Sequence, residues 1–354
     1  MNHSSLHHIA PYIGRMRPAL GRDLVAGFSS RGDLIVDPFC GSGVVGLEAT
    51  IAGRRAVLGD VNPYAVLLSR AKLHPPRSLE GAQKRLARLW NQSRPLLENQ
   101  DLRRVPRWVR AFFHPNTLRS ALALRDAMVQ SGDTFLLACL LGILHHQRPG
   151  FLSYPASNLV PYLRTRSFPR EHNPDLFSER AVLPRMEAKI QRIYRSALIP
   201  ASNLGRVLTV DARSFPRLRQ IDAIVTSPPY MNGLDYVRDN RLRLWFLQRS
   251  VPTKLELPRA NPKRIFAELL TTVASRLGSQ LRWKGHFILV LGDVSRWGTR
   301  LDAAKVATDI FKSHDNLRHL RLIHRESDSI PDVRRARRHK SGTKRETTLI
   351  FQYK

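Results

Sequence analysis

Two short stretches carry residue types that could do chemistry. In "IVDPFCGSGVVGLEA", from Ile35 to Ala49, the residues Gly41, Gly43 and Gly46 stand in G-x-G-x-x-G spacing. Such a loop permits a tight turn and close backbone approach, and a helix starting at Val44 would turn its N-terminus toward a ligand. The spacing alone suits NAD as well as any other adenosine-containing cofactor. In "TSPPYMNGLDY", from Thr226 to Tyr236, Ser227-Pro228-Pro229-Tyr230 follows directly on an apolar run. The prolines fix the backbone and remove two donors, so nearby carbonyls can face a substrate as acceptors. An exocyclic amino group on a nucleobase has its lone pair delocalised into the ring and is a poor nucleophile. Ser227 Oγ and the Pro228 carbonyl could accept its two N–H bonds and aim the lone pair at a methyl donor. Tyr230 would stack on the base once it is flipped out of the duplex.

These residues need elements to hold them, and the chain supplies the alternation of an α/β sheet. An apolar run from Leu34 to Val36 ends in Asp37, and a second from Ala56 to Gly59 ends in Asp60. A third, Val207 to Val210, ends in Asp211, and a fourth, Ala223 to Val225, runs into the Pro-Pro segment. "GHFILVLGD" from Gly285, "HLRLIHR" from His319 and "ETTLIFQY" near the end complete seven strands. Helices are expected over Arg241 to Leu247 and Ile265 to Leu277. Between the second and third strands, residues 75–203 form an interruption far longer than a βα crossover needs. The expected organisation is a discontinuous catalytic domain, residues 1–74 and 204–354, around a largely helical inserted subdomain.

Charge points to the partner. The 354 residues include 58 Lys and Arg against 28 Asp and Glu, a net charge of +30. Such an excess repels itself in a folded chain, and a polyanion such as nucleic acid relieves it. The basic run "RRARRHKSGTKR", from Arg334 to Arg345, reads either as a solvated turn or as a phosphate contact. Two cysteines, Cys40 and Cys139, cannot build a disulfide framework or a Cys-based zinc site, and no metal site is expected. The adjacent pairs His7-His8 and His145-His146 read as loop or surface residues. The longest apolar run, Phe135 to Leu144, is too short to span a bilayer and reads as a core helix. With no secretory signal visible, a soluble cytoplasmic protein is expected.

Together the two motifs resemble those of S-adenosylmethionine-dependent DNA amino-methyltransferases, the group that modifies cytosine N4 or adenine N6. "DPFCGSG" is similar to the cofactor motif of that family and "TSPPY" to its catalytic motif. "HHIAPYIGRMRPAL", from His7 to Leu20, resembles the segment ahead of the cofactor motif, and "RETTLIFQY" the closing strand. The resemblance covers about Leu6 to Tyr64 and Val207 to Tyr353. It implies a Rossmann-like class I methyltransferase fold with a seven-stranded, mostly parallel sheet. It further implies S-adenosylmethionine as cofactor, duplex DNA as partner, room for a cognate restriction endonuclease, and no membrane.

Carried onto this sequence, the resemblance places Pro11, Tyr12, Asp37 and the Gly41–Gly43 turn at the methionine end of the cofactor, with Pro38, Phe39 and Asn62 also among the residues that bind it. Asp60 would take the ribose hydroxyls, and Asp211 the adenine amino group. Ser227, Pro228, Pro229 and Tyr230 would form the catalytic loop. The motif opens with Ser227 rather than Asp or Asn, which favours cytosine N4 over adenine N6. A cytosine-C5 enzyme needs a cysteine nucleophile in a Pro-Cys context, and neither cysteine is so placed. An RNA or tRNA amino-methyltransferase, and a DNA-binding homologue without activity, are the remaining alternatives.

Overall fold

The computed structural model describes residues 3–201, 203–229, 235–251, 261–296, 299–330 and 345–354, giving only the backbone at 294–296 and 299–301. The chain divides into two compact units. A sheet unit comprises Ile13–Ser69, Pro200–Tyr236 and Lys254–Lys354, and a helical unit comprises Met1–Tyr12, Arg70–Ile199 and Val237–Thr253.

In chain order the elements begin with α1 (Pro18–Gly27), β1 (Leu34–Asp37), α2 (Val44–Ile51), β2 (Arg55–Asp60) and α3 (Pro63–Leu73). There follow α4 (Leu79–Ser93), the one-turn α5 (Arg107–Arg110), α6 (Pro115–Ser131), α7 (Thr134–Gly142) and α8 (Val182–Tyr194). The chain then returns to strands with β3 (Gly205–Thr209) and β4 (Ile221–Thr226), followed by α9 (Tyr236–Gln248) and α10 (Pro262–Gly278). The last elements are β5 (Leu281–Gly292), a small hairpin of β6 (Val294–Arg296) and β7 (Thr299–Leu301), α11 (Ala303–Ser313), β8 (Leu320–Ser329) and β9 (Arg345–Tyr353).

Seven strands form one sheet in the order β3-β2-β1-β4-β5-β9-β8. The first five run parallel, and β9 lies antiparallel between β5 and β8. This is the Rossmann-like α/β architecture, with the seven strands, that the sequence leads one to expect. Parallel strands are covered on both faces and read as unbroken apolar runs; all six residues of β4 are buried. On one face Val36, Ile224, Phe287, Leu289, Leu349 and Phe351 pack with Phe266, Leu270, Val273 and Leu277 of α10 and with Ala307 and Phe311 of α11. Side chains alternate along a strand, so Val57 faces this cluster while Leu58 faces the other way, where α2 packs on β1 and β2. Strand order reverses between β1 and β4, and at such a switch point open α/β sheets bind ligands beyond the carboxyl ends of their strands.

The helical unit is built on α7, whose residues Phe135 to Gly142 are all buried. Asp133 caps its start, accepting from the Leu136 N–H at 2.9 Å. In α8, Val182, Met186, Ile190 and Ile193 recur at helical spacing and face inward, the pattern of an amphipathic helix laid on a core.

The unit is wider than the expected 75–203. The N-terminal segment joins it because Lys189 Nζ donates to the His8 carbonyl at 2.7 Å and Leu6 and Ile9 are fully buried. Most of α9 joins it because Arg125 Nε donates to the Phe246 carbonyl at 2.6 Å. The histidine pairs also depart from expectation: His7, His145 and His146 are buried, each in a packed segment rather than on the surface. Among the described residues no helix is long and apolar enough to cross a membrane.

Candidate active site

Asp37 closes β1 and is only 3% exposed. It accepts two hydrogen bonds, from Thr226 Oγ1 at 2.6 Å and from the Phe39 N–H at 3.1 Å. Desolvation pushes its pKa up to about 7; the two donors pull it down and the charge of Asp60 adds to the rise. Pro38 is buried beside it, and Phe39 is half-buried against the sheet core.

Two glycines of the loop that follows have distinct structural tasks. Gly43 caps α2 in the left-handed region, at φ 72°, where a side chain is strained. A Cβ on Gly46 would lie 2.4 Å from Leu58 Cδ1, so this glycine lets α2 sit directly on β2. In nucleotide-binding loops of this spacing the third glycine serves that packing.

The end of β2 is wired to the same loop. Asp60 Oδ2 accepts from the Gly41 N–H at 2.9 Å, and Asp60 Oδ1 from the Asn62 N–H at 2.8 Å. Desolvation pushes the Asp60 pKa up to about 6, against these backbone donors. Asn62 is itself buried, its Oδ1 accepts from the Tyr64 N–H at 3.0 Å, and its Nδ2 has no hydrogen-bond partner among the described residues. A buried amide donor without a partner costs stability unless a ligand completes it. Asp37, Gly41, Gly43, Asp60 and Asn62 are thus gathered at the ends of two adjacent parallel strands. A carboxylate beside an open amide donor fits a ligand rich in hydroxyl groups, as an adenosine-based cofactor is.

Asp211 follows β3 and is differently employed. It caps a short 3-10 helix, Ala212–Ser214, by accepting from the Arg213 N–H at 2.9 Å. Its carboxylate also pairs with Arg213 Nη2 at 2.6 Å, which holds its pKa below the usual carboxylate range. Any role at an adenine amino group would share that carboxylate with Arg213. Pro11 and Tyr12 belong to the helical unit, Pro11 half-buried and Tyr12 buried.

At the end of β4, Ser227 Oγ donates to the Val290 carbonyl of β5 at 2.9 Å. A hydroxyl that spends its hydrogen this way keeps its lone pairs as acceptors. Ser227 and Pro229 are half-buried and Pro228 is buried; Tyr230 lies outside the described residues. The Thr226 hydroxyl and the Val290 carbonyl went unseen in the sequence. A threonine ending an apolar run reads as one more strand former, and a backbone carbonyl has no signature.

Both cysteines are buried and free. Burial and the nearby charges of Asp60 and Asp37 push the Cys40 thiol up, and burial pushes that of Cys139 up to about 12. Neither is a thiolate near neutral pH, so neither is a ready nucleophile.

Residues 18–106 match the sequence model of the family described as D12 class N6 adenine-specific DNA methyltransferase. No curated protein matches the chain. Among solved structures, TrmN from Thermus thermophilus is similar at 12% identity and a TM-score of 0.42, over 99% of this chain and 53% of that one. This chain therefore spans about half the length of TrmN. An rRNA methylase from Streptococcus thermophilus is similar at 8% identity and a TM-score of 0.36, over 96% of this chain and 99% of that one. The N-methyltransferase NodS from Bradyrhizobium japonicum WM9, in complex with S-adenosyl-l-homocysteine, is similar at 9% identity and a TM-score of 0.35, over 95% of this chain and 85% of that one. Sheet order and switch-point residues define a Rossmann-like α/β fold with a candidate site for an adenosine-based cofactor. The family match covers about a quarter of the chain, the part that holds β1, β2 and the glycine loop.

Proposed function

We propose that this protein methylates an exocyclic amino group of a base in duplex DNA, with cytosine N4 as the acceptor. The observation that carries the reading is the Thr226–Asp37 hydrogen bond of 2.6 Å. It joins the residue before Ser227-Pro228-Pro229 to the residue that opens the glycine loop, at the point where this class of sheet binds its ligands. When bound, S-adenosylmethionine supplies an electrophilic methyl group on a sulfonium sulfur.

The chain's own residues have separate tasks. Asp60 and Asn62 hold the cofactor through hydroxyl groups, and the Gly41–Gly43 turn admits it close to the backbone. Ser227 Oγ, its hydrogen committed to Val290, accepts one N–H of the target amino group, and the Pro228 carbonyl accepts the other. Drawing both N–H bonds into this plane localises the lone pair on nitrogen. The buried Pro228 limits water at that point, which strengthens each hydrogen bond. Tyr230 stacks on the flipped base. The net charge of +30 supplies the attraction to phosphates.

Adenine N6 is the second reading, favoured by the family match over residues 18–106; Ser227 in place of an acid or amide favours cytosine. Transfer of tritium from labelled S-adenosylmethionine tests the substrate class. Label in duplex DNA, with bulk tRNA left unlabelled, is the expected result, and the reverse pattern would move the assignment to RNA.

A further inference from the structure

In the helical unit, residues 155–164 form a narrow antiparallel hairpin. The Ser157 N–H donates to the Tyr162 carbonyl at 2.8 Å, the Arg164 N–H to the Pro155 carbonyl at 2.9 Å, and Ala156 pairs with Leu163. The turn between them is held from beneath by three side chains. His145 Nδ1 lies 2.8 Å from the Ser157 carbonyl; a carbonyl only accepts, so Nδ1 carries the hydrogen. Burial and the neighbouring Arg243 charge push the His145 pKa well down and keep the ring neutral. Arg243, 1% exposed, donates to the Asn158 and Leu159 carbonyls, both at 3.2 Å. Arg241 donates to the Pro161 carbonyl at 3.1 Å.

Burying a guanidinium is costly unless its donors are used, and here the terminal nitrogens of both arginines fix the path of one loop. Arg241 does something further. Its guanidinium lies between two rings, 5.2 Å from the centroid of Trp108 and 5.6 Å from that of Tyr162. Trp108 is half-buried, whereas Tyr162 is 47% exposed. A large aromatic side chain is thus held by a cation and a fixed hairpin while about half of it stays open to solvent. The segment that carries it is basic: Arg148, Arg164, Arg166 and Arg170 are all exposed, and no Asp or Glu occurs between Arg148 and Arg170.

We infer that Tyr162 is a stacking platform for an unpaired nucleobase, with Arg166 and its neighbours taking the adjoining phosphates. The inference rests on the DNA reading above for the class of partner. Three features favour nucleic acid over a protein partner. The platform is a single preorganised ring rather than an apolar patch, the segment from Arg148 to Arg170 that carries it has one sign of charge, and aromatic rings interleaved with arginines are how single nucleic acid strands are held. The hairpin is gripped by α9, the helix that follows the Ser227-Pro228-Pro229-Tyr230 segment in the chain. Arg241, Arg243 and His145 are positioning residues, and Tyr162 makes the contact.

The test compares two duplex oligonucleotides of one sequence, one fully paired and one carrying a single unpaired base, titrated against the full-length protein. The wild type should bind the second more tightly. Tyr162→Ala should lose that preference, a fall of roughly 5- to 150-fold on the unpaired-base duplex, with binding to the paired duplex unchanged. Tyr162→Phe should restore it. Arg166→Gln should lower the log–log salt slope by about one on both duplexes. A melting temperature equal to that of the wild type shows that the exposed ring is not needed for folding. A preference that survives in Tyr162→Ala, or is absent from the wild type, would overturn the inference and leave the DNA reading intact. A wild type that binds neither duplex would remove the DNA reading itself, and the platform with it.

Discussion

Thr226 Oγ1 donates to Asp37 Oδ1 at 2.6 Å, tying the last residue of β4 to the last residue of β1 at the switch point of the sheet. Both partners are buried, so the bond is made away from water and its loss exposes the carboxylate to an apolar surround. Thr226→Val keeps the shape and removes the donor. It should cost about 1–3 kcal/mol, the penalty for a buried acceptor that loses a partner, while Thr226→Ser should remain close to the wild type. Urea unfolding midpoints measure the difference; equal midpoints for valine and threonine would mean that the bond contributes nothing.

The same carboxylate makes stability depend on pH. In the unfolded chain an aspartate titrates near about 4, and in the fold Asp37 titrates at about 7. Between these values the folded state binds more protons than the unfolded one, so stability present at low pH is lost as pH rises toward 7. Asp60, at about 6, acts in the same direction over a narrower window. Asp37→Asn removes one titration. The gap in stability between this variant and the wild type should therefore shift in favour of the variant from about pH 4 to about pH 7. A gap that stays constant across that window would show that Asp37 titrates normally.

Asp60 carries the cofactor prediction. Asp60→Ala should weaken S-adenosylmethionine binding by roughly 1.5–3 kcal/mol, the value of hydrogen bonds to a charged group. The loss includes the loop as well as the ligand, because the carboxylate also accepts from the Gly41 and Asn62 N–H groups. Isothermal calorimetry reads it directly. Unchanged affinity would take Asp60 out of the site.

The positive charge gives a prediction about DNA. With a net charge of +30, affinity for duplex DNA should fall steeply with salt, with a log–log slope of several units. Fluorescence anisotropy over a salt series measures it. A flat dependence would leave the charge without this partner.

The sheet was largely legible because its inner strands, β1 and β4 above all, are buried on both faces and so appear as unbroken apolar runs, and each of the first three strands ends near an acid. The glycine loop was legible for the same local reason. What could not be read was tertiary. Asp211 stands at the expected strand end, yet its carboxylate is shared with Arg213 two residues on; the strand pattern marks the acid and not its employment. The histidine pair at 145–146 looked like surface because nothing local announces that the Ser157 carbonyl returns to meet it. The helical unit outgrew its expected limits because Lys189 and Arg125 reach carbonyls far away in the chain. Thr226 was hidden by its own suitability for a strand.

The most direct test of the central claim is the nucleoside composition of DNA from cells with and without this protein, read by mass spectrometry. Wild-type protein should introduce N4-methylcytosine. Tyr230→Ala should greatly reduce it, since stacking on the flipped base is worth about 1–3 kcal/mol, and Ser227→Ala should reduce it too, since an oriented hydrogen bond in a site shielded from water counts for more than in solution. N6-methyladenine instead would replace the base and keep the mechanism. Undiminished methylation in both variants, or no modified base in DNA at all, would contradict the account.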